Sequence, residues 1–121
     1  MKIFVLAISL FTFALTTSDA QAQSSKIDTV TLQVPGVCNM CKSRIETTTY
    51  DLPGVKSVNW DLETEVLTAV IQTKKVSRQQ IADALAAKGY RSELAKADKT
   101  AYDKLPACCQ YDSGVEKHDN K

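Results

Sequence analysis

Four cysteines are the residues most able to do chemistry in this chain, and they fall into two tight pairs. Cys38 and Cys41 stand three apart behind Pro35-Gly36-Val37, and Cys108 and Cys109 are adjacent near the C-terminus. The helix-like run after Cys41 would place the first pair at a helix N-terminus. There the unpaired N–H groups and the macrodipole favour negative charge. A thiol so placed ionises more easily, and the thiolate is the form that binds metal or attacks a disulfide. A C-x-x-C site therefore reads as either a soft-metal site or a redox site. Four cysteines also allow two bridges in three connectivities. A stapling framework, however, spaces its cysteines to join distant loops, so two tight pairs suit ligand chemistry better. A bridge within Cys108-Cys109 would be strained, because neighbouring Cα atoms lie only ~3.8 Å apart.

The elements that must position these thiols occupy a small chain. It has 121 residues, 15 basic and 14 acidic side chains, and a net charge of +1. That balance argues against nucleic acid as a partner, since such binders carry a strong basic excess. The start has the layout of a signal peptide, with Lys2, an apolar run over 3–15 and Ala20-Gln21-Ala22 as the small-x-small cleavage site. Residues 1–22 are thus expected to be removed, with cleavage after Ala20 as the alternative. No stretch reaches the ~20 apolar residues that span a bilayer, so no membrane insertion is expected after processing. The expected product is exported, periplasmic or secreted. No cysteine precedes Cys38, which excludes a lipid-modified cysteine at the cleavage site.

A polar leader covers residues 23–27, followed by a domain over 28–95. The stretch 27–34 (IDTVTLQV) alternates apolar and polar residues and reads as a strand, with Val30, Leu32 and Val34 on one face. Pro35-Gly36 ends it. A helix is expected to about Tyr50, with Ile45, Thr49 and Leu52 on one face, although Thr47-Thr48-Thr49 is poor helix material. Residues 55–61 and 65–72 read as the second and third strands, close enough for an antiparallel hairpin. Alternation leaves open which face of the third strand is inside. Ser77 and Gln80 form a capping box ahead of Ile81, Ala84, Leu85 and Lys88, and Gly89 stops that helix. Residues 90–95 read as a short fourth strand.

The order βαββαβ predicts an α+β, ferredoxin-like sandwich, with two helices on one face of a four-stranded antiparallel sheet. Gly89-Tyr90 would then lie beside the cysteine loop. A C-terminal extension, 96–121, follows the domain. It begins with a short helix over 96–105, broken by Pro106, and carries the double cysteine. It is expected to end in a polar, disordered tail from Tyr111 that holds His118, the only histidine.

With these elements and the cysteine loop in place, the chain resembles the heavy-metal-associated domain family. It is most similar to exported single-domain members such as periplasmic mercury-binding proteins and small copper chaperones. The resemblance runs over about residues 28–95. It is carried by Thr31-Leu32-Gln33-Val34-Pro35-Gly36, Cys38-Asn39-Met40-Cys41 with Ile45-Glu46, Leu52-Pro53-Gly54-Val55, Asp61-Leu62-Glu63-Thr64 and Gly89-Tyr90. Two departures stand out. One residue rather than two separates Gly36 from Cys38, so Val37 takes the place of the family's loop-anchoring methionine. Thr48-Thr49 replace alanine and leucine. The ending Asp103-Lys104-Leu105-Pro106-Ala107-Cys108-Cys109 resembles that of a subgroup of exported bacterial members.

The expectation is a non-enzymatic carrier, and a monomer. Its ligands would be Cys38 and Cys41, with Cys108 and Cys109 as further candidates, either as extra ligands or as a redox lock, the competing reading being a tail feature with its own redox behaviour. Soft thiolates select Cu(I), and by the same softness Hg(II), whereas Zn(II) normally needs four ligands and so needs Cys108 and Cys109 as well. A two-coordinate, exposed ion leaves room for a partner's thiolate, so transfer by ligand exchange to a heavy-metal transporter or another thiol carrier follows. The resemblance places Tyr90 facing the metal loop, as a residue that tunes the thiolates. Met40 reads as loop surface or packing rather than a ligand. Lys42 and Arg44 are candidates to offset the thiolate charge and meet an acidic partner. The alternative is a thiol–disulfide oxidoreductase using the same C-x-x-C pair. It is disfavoured by the element order and by the missing tryptophan before Cys38.

Overall fold

A computed structural model describes residues 26–117. The expected signal peptide with its cleavage site, the first residues of the leader, and His118 lie outside the described residues.

Strand β1 (Ile27–Gln33) pairs antiparallel with β3 (Val66–Gln72), and β3 pairs antiparallel with β2 (Val55–Trp60), giving the order β1-β3-β2. The register sets Leu32, Leu67 and Trp60 in one row across the sheet and Val30, Ala69 and Val58 in the next. One face is thereby made apolar. Leu32, Trp60, Leu67, Ala69 and Ile71 are all buried, which assigns the inward face of β3 that alternation left open. Helix α1 (Asn39–Tyr50) lies over β2, helix α2 (Arg78–Ala87) lies over β1, and the two helices touch each other. Ile45 from α1 and Ile81, Ala82 and Leu85 from α2 complete the core.

Local signals account for the helices. Ser77 and Gln80 make the expected capping box at the start of α2, with Oγ of Ser77 accepting from the Gln80 N–H at 3.2 Å and Gln80 Oε1 accepting from the Ser77 N–H at 2.9 Å. The threonine run does not prevent α1, because the fully buried Thr49 donates its hydroxyl to the Ile45 carbonyl at 2.9 Å. A back-bond of this kind removes the cost of an unpaired buried hydroxyl.

The fourth strand does not form among the described residues, and the sheet has three strands rather than four. Side chains explain the difference. The Ser92 N–H closes a turn onto the Ala95 carbonyl at 2.9 Å, and the Arg91 N–H is taken by the Tyr111 hydroxyl at 3.2 Å. The groups of β1 that a fourth strand would serve are met instead by side chains. Glu93 accepts from the Gln33 N–H at 2.8 Å, and Arg78 Nε donates to the Thr31 carbonyl at 2.6 Å. Arg78 and Glu93 are themselves ion-paired.

Past the domain, Asp98 caps a short helix α3 (Lys99–Asp103), narrower than the expected 96–105, by accepting from the Ala101 N–H at 2.7 Å. A 3₁₀ turn (Ala107–Cys109) follows. The tail is not disordered from Tyr111. Residues 111–114 form a turn, and Tyr111 lies against Tyr90 with ring centroids 5.9 Å apart.

Candidate metal centre

The loop between β1 and α1 is pinned from below by the single tryptophan. Trp60 Nε1 donates to the Val34 carbonyl at 2.9 Å, and its ring runs directly under Gly36. A Cβ at Gly36 would lie 2.7 and 2.8 Å from two indole carbons and 3.2 Å from the Cys41 Cβ, so only glycine lets the loop pass. Val37 is buried and serves as the hydrophobic anchor of this shortened loop. Glu46 joins α1 to β2 by accepting from the Trp60 N–H at 2.8 Å. Lys42 does not face the thiols. Its ammonium is held by Glu46 at 2.6 Å and the Trp60 carbonyl at 2.6 Å, so it fixes the helix against the sheet. Met40 is exposed at 43%, which fits loop surface.

This frame sets Cys38 as the N-cap of α1, in extended conformation, and Cys41 in its first turn. Their sulfurs are 3.6 Å apart. The C-terminal segment adds the second pair. Cys109 Sγ lies 3.8 Å from Cys38 Sγ, and the sulfurs of Cys38, Cys108 and Cys109 all lie within 4.8 Å of one another. All four sequence candidates therefore meet in one place. Cys38 touches both Cys41 and Cys109, and its thiol also points to the Cys108 carbonyl at 3.6 Å.

Burial contradicts the expectation of an exposed site. Cys38, Cys41 and Cys109 each have 0% relative exposure, and Cys108 is partly buried. The C-terminal segment covers the loop, and it is held on by specific contacts. The Asp98 N–H donates to the Ala86 carbonyl at 2.9 Å, and Leu105 is buried. A Cβ at Gly89, whose φ is +94°, would lie 2.8 Å from the Tyr102 nitrogen, so α3 rests directly on that glycine. The Tyr111 hydroxyl donates to the Gly89 carbonyl at 2.7 Å, while its ring meets Tyr102 edge-on at 5.1 Å. Arg91 lies over the Tyr111 ring and pairs with Asp112.

The thiols are electrostatically unequal. Burial opposes ionisation of Cys38, but the N–H groups of Cys41 and Met40 and the thiols of Cys41 and Cys109 outweigh it and lower its pKa. Burial raises Cys41, with the Cys38 charge adding to it; burial also raises Cys109, with the neighbouring Cys41 and then Cys38 adding to it. Cys38 is thus the first thiolate, and its neighbours donate to it. Tyr90, which the resemblance placed at the metal loop, lies beside the thiols. It is fully buried, its hydroxyl has no hydrogen-bond partner meeting normal geometry among the described residues, and it faces Cys41 and Cys109. Burial, then the charges on Cys41 and Cys109, raise its pKa, and Arg44 pulls the other way.

These shifts give a pH signature for reduced, metal-free protein. Cys41, Cys109 and Tyr90 hold their protons more tightly folded than unfolded. Their contribution to stability is complete below about pH 9 and drains away as pH rises past it. Cys38 has the opposite sign, and its contribution is already complete above that pH. The thermal midpoint in reducing buffer is therefore expected to fall between about pH 9 and pH 11, and a level or rising midpoint there would contradict the assignment.

Comparison with known proteins agrees with this architecture. The heavy-metal-associated domain family matches residues 31–91, half of the chain. The chain belongs to that family. Over 61 residues, 50% of the chain and 88% of the relative, it is 39% identical to the copper chaperone CopZ of Bacillus subtilis (strain 168). The crystal structure of oxidised MerP from Ralstonia metallidurans CH34 superposes with a TM-score of 0.54 at 32% identity, covering 56% of this chain and 96% of MerP. The water-soluble region of the P-type ATPase CopA from Bacillus subtilis gives 0.52 at 28% identity, covering 56% of this chain and 46% of that region. The heavy-metal-associated match ends at residue 91, so the segment bearing Cys108 and Cys109 lies outside it.

Proposed function

We propose that the protein is an exported carrier that holds one soft metal ion, Cu(I) or Hg(II), between Cys38 and Cys41 and hands it to another thiol protein. The observation that supports this most directly is the pair of buried sulfurs 3.6 Å apart at the N-terminus of α1, in a heavy-metal-associated fold. Soft thiolates prefer soft ions, and ligation requires both thiols to lose their protons. Cys38 would engage first as the thiolate, Cys41 would follow, and both protons would go to solvent. The helix N-terminus offsets part of the resulting negative charge.

The acceptor would be a heavy-metal transporter or a second thiol carrier, and likeness to a copper chaperone and to a P-type ATPase domain supports either. A shallow cleft of about 330 Å³ beside Tyr90, lined by Ser43, Arg44, Thr47, Thr48 and Lys88, offers such a partner two cations, which favours an acidic docking patch. The apolar start of the chain supports export. Carriage rather than catalysis is supported by the CopZ likeness.

The test is anaerobic titration of the reduced, processed protein with Cu(I) and with Hg(II). The parent is expected to take up one equivalent, and the double variant Cys38→Ser/Cys41→Ser none at comparable affinity. Unchanged uptake by the double variant would remove the proposal. Turnover of a disulfide substrate by the parent would replace it with thiol–disulfide exchange.

A further inference from the structure

We propose that the C-terminal segment is a lid that carries a ligand: Cys109 adds a third thiolate to the ion held by Cys38 and Cys41, and transfer requires the lid to move aside. This rests on the carrier reading and extends its site from two sulfurs to three.

Distances favour the third ligand. With metal–sulfur bonds of ~2.3 Å, a linear two-thiolate site needs its sulfurs ~4.6 Å apart, whereas a trigonal one needs only ~4.0 Å. Cys38 lies 3.6 Å from Cys41 and 3.8 Å from Cys109, so two of the three edges of a trigonal site are nearly at their spacing before any ion arrives. Placement agrees. Cys109 is fully buried against Cys38, while Cys108 is partly exposed and turns its carbonyl toward Cys38. The Cys108 sulfur also lies within 4.8 Å of those of Cys38 and Cys109, but Cys108 is partly exposed whereas Cys109 is fully buried, and the buried sulfur is the one assigned as ligand.

A second feature points to a charge at this spot. The Tyr90 hydroxyl is completely buried, has no partner at normal hydrogen-bond geometry among the described residues, and faces Cys41 and Cys109. A donor kept in that condition is costly unless something accepts from it. A metal-bound thiolate is such an acceptor. Three thiolates around Cu(I) carry net negative charge, and the Tyr90 O–H and the N–H groups at the start of α1 would share it.

The lid changes how transfer proceeds. Cys109 occupies the position that an incoming thiolate from a partner would take. Exchange therefore breaks the bond to Cys109 first, and the partner's thiolate forms its bond in that place. No electron moves. The contacts that resist this opening are Tyr111 on Gly89 and Tyr90, and Arg91 with Asp112.

X-ray absorption on the Cu(I)-loaded, reduced full-length processed protein decides the matter, and the parent's sulfur count needs no variant. Three sulfurs are expected in the parent, two with shorter bonds in Cys109→Ser, and three in Cys108→Ser. Against a competing chelator, Cys109→Ser is expected to lose about a hundredfold in affinity, one ligand's share of a multi-thiolate site. Tyr111→Ala is expected to keep three sulfurs yet release Cu(I) to the chelator faster than the parent. Two or four sulfurs in the parent, or loss of the third sulfur in Cys108→Ser instead, would overturn the assignment while leaving the carrier reading intact. A parent that binds no Cu(I) would overturn the carrier reading itself.

Discussion

Cys38→Ser is expected to weaken Cu(I) binding by at least a hundredfold, and by more than Cys41→Ser does. Multi-thiolate sites bind with roughly 10–16 kcal/mol spread over four ligands, so one ligand is worth about 3 kcal/mol, or about two powers of ten. The serine hydroxyl neither ionises at neutral pH nor suits a soft ion. The asymmetry follows from position. Cys38 is in sulfur contact with both Cys41 and Cys109, and it alone of the three has its pKa lowered by the helix N–H groups. Losing it removes the first thiolate and the common neighbour of the others. Chelator competition on the two single variants measures the difference, and a weaker effect at Cys38 than at Cys41 would show that the hub has been misplaced.

Trp60→Ala is expected to destabilise the fold by about 3–5 kcal/mol, the range for deleting a large buried aromatic ring. Here the cavity would open beneath the metal loop itself. Its removal takes away the ring under Gly36 and strands the Val34 carbonyl, which now accepts from the indole N–H. An orphaned buried acceptor adds to the loss. A domain of this size holds only about 5–15 kcal/mol, and each kcal/mol moves the melting point by about 4–8 °C. Urea unfolding of the metal-free protein is the direct measurement. A loss below about 1.5 kcal/mol, the range of a well-tolerated core swap, would mean that the loop does not depend on this ring.

Most of the domain could be read from local signals because local physics decides it. The capping box at Ser77, the alternation leading to Leu32 and the turn at Pro53-Gly54 each act over a few residues. Residues 90–95 could not be read that way. Their composition permits a strand, but the Glu93 carboxylate and the Tyr111 hydroxyl take the N–H groups a ladder would have used. The cysteine candidates were identifiable by type and spacing, and Tyr90 by its place in the family pattern. Their meeting could be stated only as one alternative among others, since Cys38 and Cys109 lie 71 residues apart and the contact depends on how the segment folds back. One clue stood in the sequence. Tyr102, Leu105 and Tyr111 are large apolar-bodied residues in a stretch otherwise rich in charge, and all three pack onto the domain.

The indole beneath Gly36 has an optical consequence. Trp60 is the only tryptophan, fully buried, and its ring touches the backbone that carries Cys38 and Cys41. Its emission therefore reports on the metal loop with no label attached. Three of the four tyrosines, Tyr90, Tyr102 and Tyr111, gather instead where the C-terminal segment is fastened. The two halves of the site thus carry chromophores that absorb and emit differently. Filling of the loop and opening of the segment can be followed as separate signals from one unmodified chain.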